Sequence, residues 1–128
     1  MKNEAQMISH LVRAGVFAMI CATSAATAAP ARTPYDGAWS VLIVTQSGSC
    51  DRAYRYGVQI IDGFVRYNGG AVNFSGHVAR NGVVEVTVAG GGGQANGTGR
   101  LSRNSGQGKW IGRSSSGACA GYWEAERR

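Results

Sequence analysis

The chain has 128 residues, 20 of them glycine, with 44% hydrophobic and 16% charged residues and a formal charge of +6. That length holds one domain with a core of modest size and excludes a multidomain assembly. The basic balance suits polyanionic partners, and it equally suits a small glycine-rich protein that has to stay in solution.

The first 28 residues read as a secretory signal. Lys2 and Arg13 lie in a polar start, the apolar run AGVFAMICATSAATAA follows, and Ala26-Thr27-Ala28 offers small residues for cleavage. A transmembrane anchor needs about 20 uninterrupted apolar residues, which this run does not reach. Ile20 before Cys21 argues against lipidation, which wants a small residue there. Export predicts a periplasmic or secreted protein, with an N-terminal arm at 29–36 and a folded domain at 37–128. Eleven basic residues then face six acidic ones, and ten of the eleven are arginine.

After the leader, helical periodicity gives way to short alternating runs punctuated by Gly, Asn, Asp and Ser. Eight runs are predicted as strands: 38–45, 53–61, 64–68, 71–79, 83–89, 94–103, 109–113 and 118–125. Loop length decides which side chains face one another, because a one-residue slip exchanges the faces of a strand. A two-residue turn at Asp62-Gly63 sets Ile60 opposite Val65 and Val58 opposite Tyr67. A two-residue turn at Asn81-Gly82 would put Val78 opposite Glu85. A three-residue loop, Arg80 to Gly82 with Gly82 in the left-handed bulge position, puts Val78 opposite Val84 and Phe74 opposite Val88 instead.

The stretch VAGGGGQANGTGRLSRNSGQG, from Val88 to Gly108, then reads as strand and turn rather than as a linker. With Gly90–Gly93 as a loop, Val86 meets Gly97 and Val84 meets Gly99. With a loop at Asn104–Gln107, Leu101 meets Trp110 and Gly99 meets Gly112. With a loop at Ser114–Gly117, Trp110 meets Gly121 and Gly112 meets Cys119. Phosphate-binding loops are excluded by spacing, since Ser102 and Arg103 stand where those motifs need glycine, and no helix follows.

Eight antiparallel strands with short connections predict an all-β fold, an eight-stranded up-and-down barrel that hides its edges by closing; the alternative is a two-sheet sandwich. Closure would bring the loop after the first strand beside the start of the eighth, which is where Cys50 and Cys119 lie, and one disulfide is predicted there. With a single mature histidine and no CxxC pair, a zinc cluster lacks ligands, and no metal or cofactor is expected.

The predicted inner face carries the large apolar groups, among them Trp39, Tyr56, Phe74, Trp110 and Trp123. Eight strands leave room for side chains to fill the barrel, so a filled interior without a deep cavity is expected. The glycine wall at Gly97, Gly99, Gly112 and Gly121 either lets the tryptophans lie flat or leaves a shallow pocket. No enzyme is expected: His77 alternates outward without a partner, Asp62 belongs to a turn, Glu85 faces out, and Asp36, Asp51, Glu124 and Glu126 lie near strand ends. On the outward parity lie Arg55, Arg66, Arg100, Lys109 and Arg113, a candidate anion-binding face for an envelope or extracellular polymer or a secreted protein. Outer aromatics do not interleave with them as a nucleic-acid platform needs.

The opening YDGAWSV (Tyr35–Val41) and the ending CAGYWEAERR (Cys119–Arg128) resemble a group of short exported bacterial β-proteins that pair a YDG-x-W start with a C-x-G-x-W end. Some of these carry a label of haem utilisation or adhesion, which the resemblance would extend to this chain, with His77 or an inner tyrosine as the iron ligands on offer. In size, early G-x-W and single disulfide the chain is also similar to small periplasmic barrel inhibitors of bacterial metalloproteases. That likeness implies a free N-terminal segment, Ala29 to Asp36, inserting into a protease. The expected function is therefore a non-catalytic exported binding module with anionic partners, the alternatives being a protease inhibitor and a haem-utilisation or adhesion protein.

Overall fold

The computed structural model describes residues 32–67 and 69–128, together with Gly15, Ala18 and Ala22. The expected leader at 1–28 otherwise lies outside the described residues, as do arm residues 29–31 and Asn68, where the third run was expected to end. Eight strands follow in order: β1 (Gly37–Ser47), β2 (Ala53–Ile61), β3 (Phe64–Arg66), β4 (Asn73–Val78), β5 (Val83–Gly90), β6 (Gly93–Leu101), β7 (Ser105–Ser114) and β8 (Gly117–Arg127). They form one closed antiparallel barrel in sequence order, with β8 returning to pair with β1 from Trp39↔Arg127 to Ser47↔Ala120. The two-sheet alternative gives way to this single closed sheet, in which no edge is left to be covered.

Turn chemistry sets most of the register. Asp62 and Gly63 take positive φ of 51° and 83°, the mirror-image turn suited to the twist of a two-residue hairpin, and Ile60 pairs with Val65. Gly82, at φ 89°, supplies the left-handed residue of a three-residue loop, so Val78 meets Val84 and Phe74 meets Val88. The glycine-rich segment is strand up to a turn at Gly91-Gly92, with Val86↔Gly97 and Val84↔Gly99 as expected. The last hairpin also has the expected pairs, Trp110↔Gly121 and Gly112↔Cys119.

The β6–β7 hairpin departs from expectation. Its turn is at Arg103-Asn104, and Leu101 pairs with Gly106, Gly99 with Gly108 and Gly97 with Trp110, not Leu101 with Trp110 and Gly99 with Gly112. The cause is local: the Ser102 N–H donates to the Ser105 carbonyl at 2.7 Å and its hydroxyl donates to the same oxygen at 3.0 Å, which closes the turn early. β7 thereby starts at Ser105 rather than 109, and more main-chain groups find ladder partners than a four-residue loop would allow. The shift is an even number of residues, so the inner and outer faces stay as assigned.

Inward parity is apolar, and outward parity mixes polar and charged groups with exposed apolar ones such as Ile61, Phe64 and Ile111. Arg55, Glu85, Thr98 and Lys109 occupy outer positions well inside their strands, the reverse of what a lipid-facing barrel requires. The core is concentrated toward one end of the barrel, where Trp39, Val78, Ile60, Leu101 and Ala125 are each at most 5% exposed. Arg127 clasps that end. Its guanidinium lies 4.7 Å over the Trp39 ring and donates to the carbonyls of Asp36, Pro34 and Arg103 at 2.6–2.8 Å. Trp39 Nε1 donates in turn to the Tyr35 carbonyl at 2.8 Å.

Thr33–Asp36 therefore belong to the closed end rather than to a free arm. The Asp36 carboxylate accepts from the main-chain N–H of Asp62 at 2.9 Å and of Gly63 at 3.0 Å, and from the Thr33 hydroxyl. Burial pushes the Asp36 carboxyl up, but these hydrogen bonds together outweigh it and hold the group below its ordinary value of 3.8. A depressed folded-state value adds stability above the ordinary pKa and loses it as the pH falls through the folded value. Asp36→Asn is expected to cost about 1 kcal/mol at neutral pH, a discounted figure for an exposed site. In thermal melts across pH, the gap between the two proteins should persist above 3.8 and close below it.

Candidate functional site

The opposite end of the barrel is open. There the β1–β2 loop, the β5–β6 turn and the β7–β8 turn ring a mouth that leads into an apolar cavity of about 360 Å³. The expectation of a filled barrel is corrected by this cup, and the physical reason lies in how the tryptophans are held. Trp110, on β7, leans across Gly121 of β8 and donates its indole N–H to the Val44 carbonyl of β1 at 3.0 Å. Trp123, on β8, leans across Gly108 of β7 and donates to the Thr98 carbonyl of β6 at 3.1 Å. A methyl group at Gly108 or Gly99 would fall 2.5–2.6 Å from the Trp123 ring, and one at Gly121 would fall 2.9 Å from Trp110 Nε1. Glycine on the wall lets the rings lie against the sheet, and rings that lie against the sheet leave the axis empty. The two outcomes posed as alternatives occur together.

The other wall is aromatic. Tyr54 and Tyr56 on β2 stack with centroids 4.7 Å apart, and Tyr56 meets Tyr67 edge-on at 5.3 Å and Phe74 of β4 at 5.1 Å. Tyr54 is 52% exposed, as befits a residue at the mouth. Burial first, then the neighbouring phenols of Tyr54 and Tyr67 and the Asp51 carboxylate, push the Tyr56 phenol up, so it stays neutral at physiological pH.

The rim is fastened. Cys50 and Cys119 form a disulfide that ties the β1–β2 loop to the start of β8, as the spacing predicted. The Cys50 N–H points at Cys119 Sγ at 3.2 Å, the Thr45 hydroxyl donates to the Asp51 carbonyl at 2.6 Å, and the Ser49 hydroxyl meets that of Ser116 at 3.1 Å. A disulfide of this kind fits an oxidising compartment. Among the described residues, no helix is long and apolar enough to cross a membrane.

No family model, curated protein or solved structure matches the chain.

The five outward cations do not form one face. Arg55 and Arg66 lie on β2 and β3, whereas Arg100, Lys109 and Arg113 lie on β6 and β7, across the ring, with β4–β5 on one side and β8–β1 on the other. All five are exposed. Arg55 donates to the Ser40 hydroxyl at 2.9 Å, and Arg66 lies 5.7 Å over the Phe64 ring, so one outer arginine does meet an aromatic. Around the second group, Gln107 is flanked by Arg100 and Glu124, and Thr98 by Lys109 and Glu85, a surface of mixed sign. His77 faces out, with its ring 5.3 Å from that of Phe64.

The inward parity placed most of the cup's apolar lining, and the sequence offered a shallow pocket only as an alternative to flat tryptophans. The signal available was the run of small inward residues Gly93, Ala95 and Gly97 on β6, with Ala95 paired to Gly112 of β7, which leaves one side of the mouth almost without side chains.

Proposed function

We propose that the protein is a non-catalytic exported binding module whose site is the apolar cup. The observation that carries this reading is the cavity of about 360 Å³ at the mouth end, between the Tyr54–Tyr56–Phe74 wall and the glycine wall. That volume is at the small end of ligand pockets and suits a molecule of about a dozen non-hydrogen atoms. A porphyrin is larger than that, and His77 stands on the outer face, so the cup supports a smaller ligand than haem. Thr33–Asp36 are engaged at the closed end, which leaves a protease-inhibiting arm only the residues before them.

The test is a titration with naphthalene, followed by the indole N–H resonances of Trp110 and Trp123. Ala95 stands inward near the mouth, and Ala95→Trp should fill the space without touching the outer face. Micromolar binding by the native protein and its loss, about tenfold or more, in the filled variant are the expected results. Equal binding by both proteins, or none by the native one, would overturn the reading. Binding to anionic polymers through the outer arginines is a second reading, supported by the excess of eleven basic over six acidic residues after the leader. It would be unaffected by Ala95→Trp and would weaken steeply with salt.

A further inference from the structure

The cup has a polarity, and it comes from what its wall can offer a charge. Both indole N–H groups of the open part are spent on wall carbonyls, Trp110 on Val44 and Trp123 on Thr98. The main-chain groups of the glycine wall are engaged in the ladders that join β5 through β8 to β1. Below the rim the cavity therefore presents mostly ring faces and aliphatic carbon, and the side-chain donors of its aromatic wall are the neutral phenols of Tyr54 and Tyr56 rather than a cationic group. Aromatic faces carry the negative part of a quadrupole and attract cations.

The rim adds a charge of the same preference. Asp51 is the one acidic residue among those lining the cavity. Its carbonyl is anchored by Thr45, and its neighbour Cys50 by the disulfide, so its backbone is held at the mouth and the carboxylate extends from a fixed base. Arg113 is the one basic residue in the lining, but it stands between the inward positions of Gly112 and Ser114, so its side chain alternates outward while its carbonyl covers Gly93. Asp51 also shares the rim with Tyr54 and lies close enough to the Tyr56 phenol to disfavour its ionisation.

We propose that the cup is selective for a small organic cation, an alkylated ammonium on a compact apolar body, held against the faces of Tyr54, Tyr56, Phe74 and Trp110 with Asp51 at the mouth. This rests on the cup being the binding site. A quaternary ammonium suits it because such a cation is weakly hydrated and needs no hydrogen-bond acceptor from the wall.

The experiment titrates the protein with benzyltrimethylammonium, benzyl alcohol and benzoate, three probes that share one ring and differ in charge, with the indole N–H resonances as readout. The cation should bind about tenfold more tightly than the alcohol, as cation–π contacts in a desolvated site allow. Benzoate should bind least. Asp51→Asn should weaken the cation about threefold and leave the alcohol unchanged, so the alcohol reports that the variant is folded. Tyr56→Leu should weaken the cation more than the alcohol. Equal affinity for cation and alcohol, a preference for benzoate, or an Asp51→Asn variant with unaltered selectivity would overturn the inference and leave the cup in place. Failure of all three probes, together with failure of naphthalene, would instead remove the cup as a site.

Discussion

Gly121→Ala is expected to lower the thermal midpoint by about 10–20 °C, the largest loss from adding a single carbon to this barrel. Gly121 lies on β8 opposite Trp110 and beside Thr45 of β1. A β-carbon there would collide with the Val44 carbonyl oxygen and come within 2.9 Å of Trp110 Nε1. Those two groups are the acceptor and donor of one hydrogen bond, so the added methyl presses on both partners at once. Neither can swing away freely, since the carbonyl belongs to the backbone of β1 and the indole is held flat by the contact being disrupted. Over-packing of this kind costs about 2–3 kcal/mol. The matched control is Gly97→Ala, on the same inner face. A methyl at Gly97 meets Trp123 Nε1 at 3.6 Å and the Lys109 carbonyl at 3.8 Å, ordinary contact distances. It should be neutral or slightly stabilising, because alanine loses less backbone freedom than glycine. Thermal melts of the pair followed by circular dichroism decide the point. Similar losses from both would mean that glycine is required along this wall for strand flexibility rather than for seating tryptophan.

The same contrast shows how much of the molecule could be read in the chain. Alternation and turn residues were enough for the closed eight-stranded sheet, for its two faces and for the pairing of Cys50 with Cys119, because each depends only on parity and on which loop lengths keep valine opposite valine. The β6–β7 turn was misplaced because Ser105 and Gly106 look like loop residues in isolation, while hydrogen bonds from Ser102 draw them into the ladder. The depth of the cup was missed for a different reason. Whether Trp110 and Trp123 project to the axis or lie on the wall depends on a carbonyl one strand farther round the sheet, a relation that cross-strand pairing alone does not express. The separation of the cations was accessible. In a ring of eight strands taken in order, β2 and β3 stand opposite β6 and β7, so Arg55 and Arg66 could not have joined Arg100, Lys109 and Arg113 on one face. Arg127 lies beyond the expected end of the eighth run at 125, yet its fork finds three carbonyls and the Trp39 ring because β8 continues along β1 to pair with Trp39 at the closed end.

Removing the disulfide with the double variant Cys50→Ser/Cys119→Ser is expected to cost about 2–4 kcal/mol, on the order of 10–20 °C in midpoint, and to loosen the mouth before the closed end. The two cysteines are 69 residues apart, so the bond closes a loop that spans most of the barrel and restricts the unfolded chain strongly. Changing both avoids leaving one sulfur alone where Cys119 is only 3% exposed. The loss should be uneven because the two ends are held by different means. At the closed end Trp39, Leu101 and Val78 are packed and clasped by Arg127, contacts that owe nothing to the sulfurs. At the mouth the glycine wall offers little apolar contact, and the β1–β2 loop keeps only short polar links such as Thr45 to Asp51 and Ser49 to Ser116. Amide exchange should therefore quicken around Thr45, Ala53 and Ala120 while Ile60 and Val84 remain protected. Probe binding in the cup should weaken by more than the midpoint alone would suggest, since Tyr54 and Asp51 follow the freed loop. Uniform acceleration of exchange at both ends would show that the sulfurs brace the whole barrel rather than its rim, and that the mouth keeps its shape through the β1–β8 ladder itself.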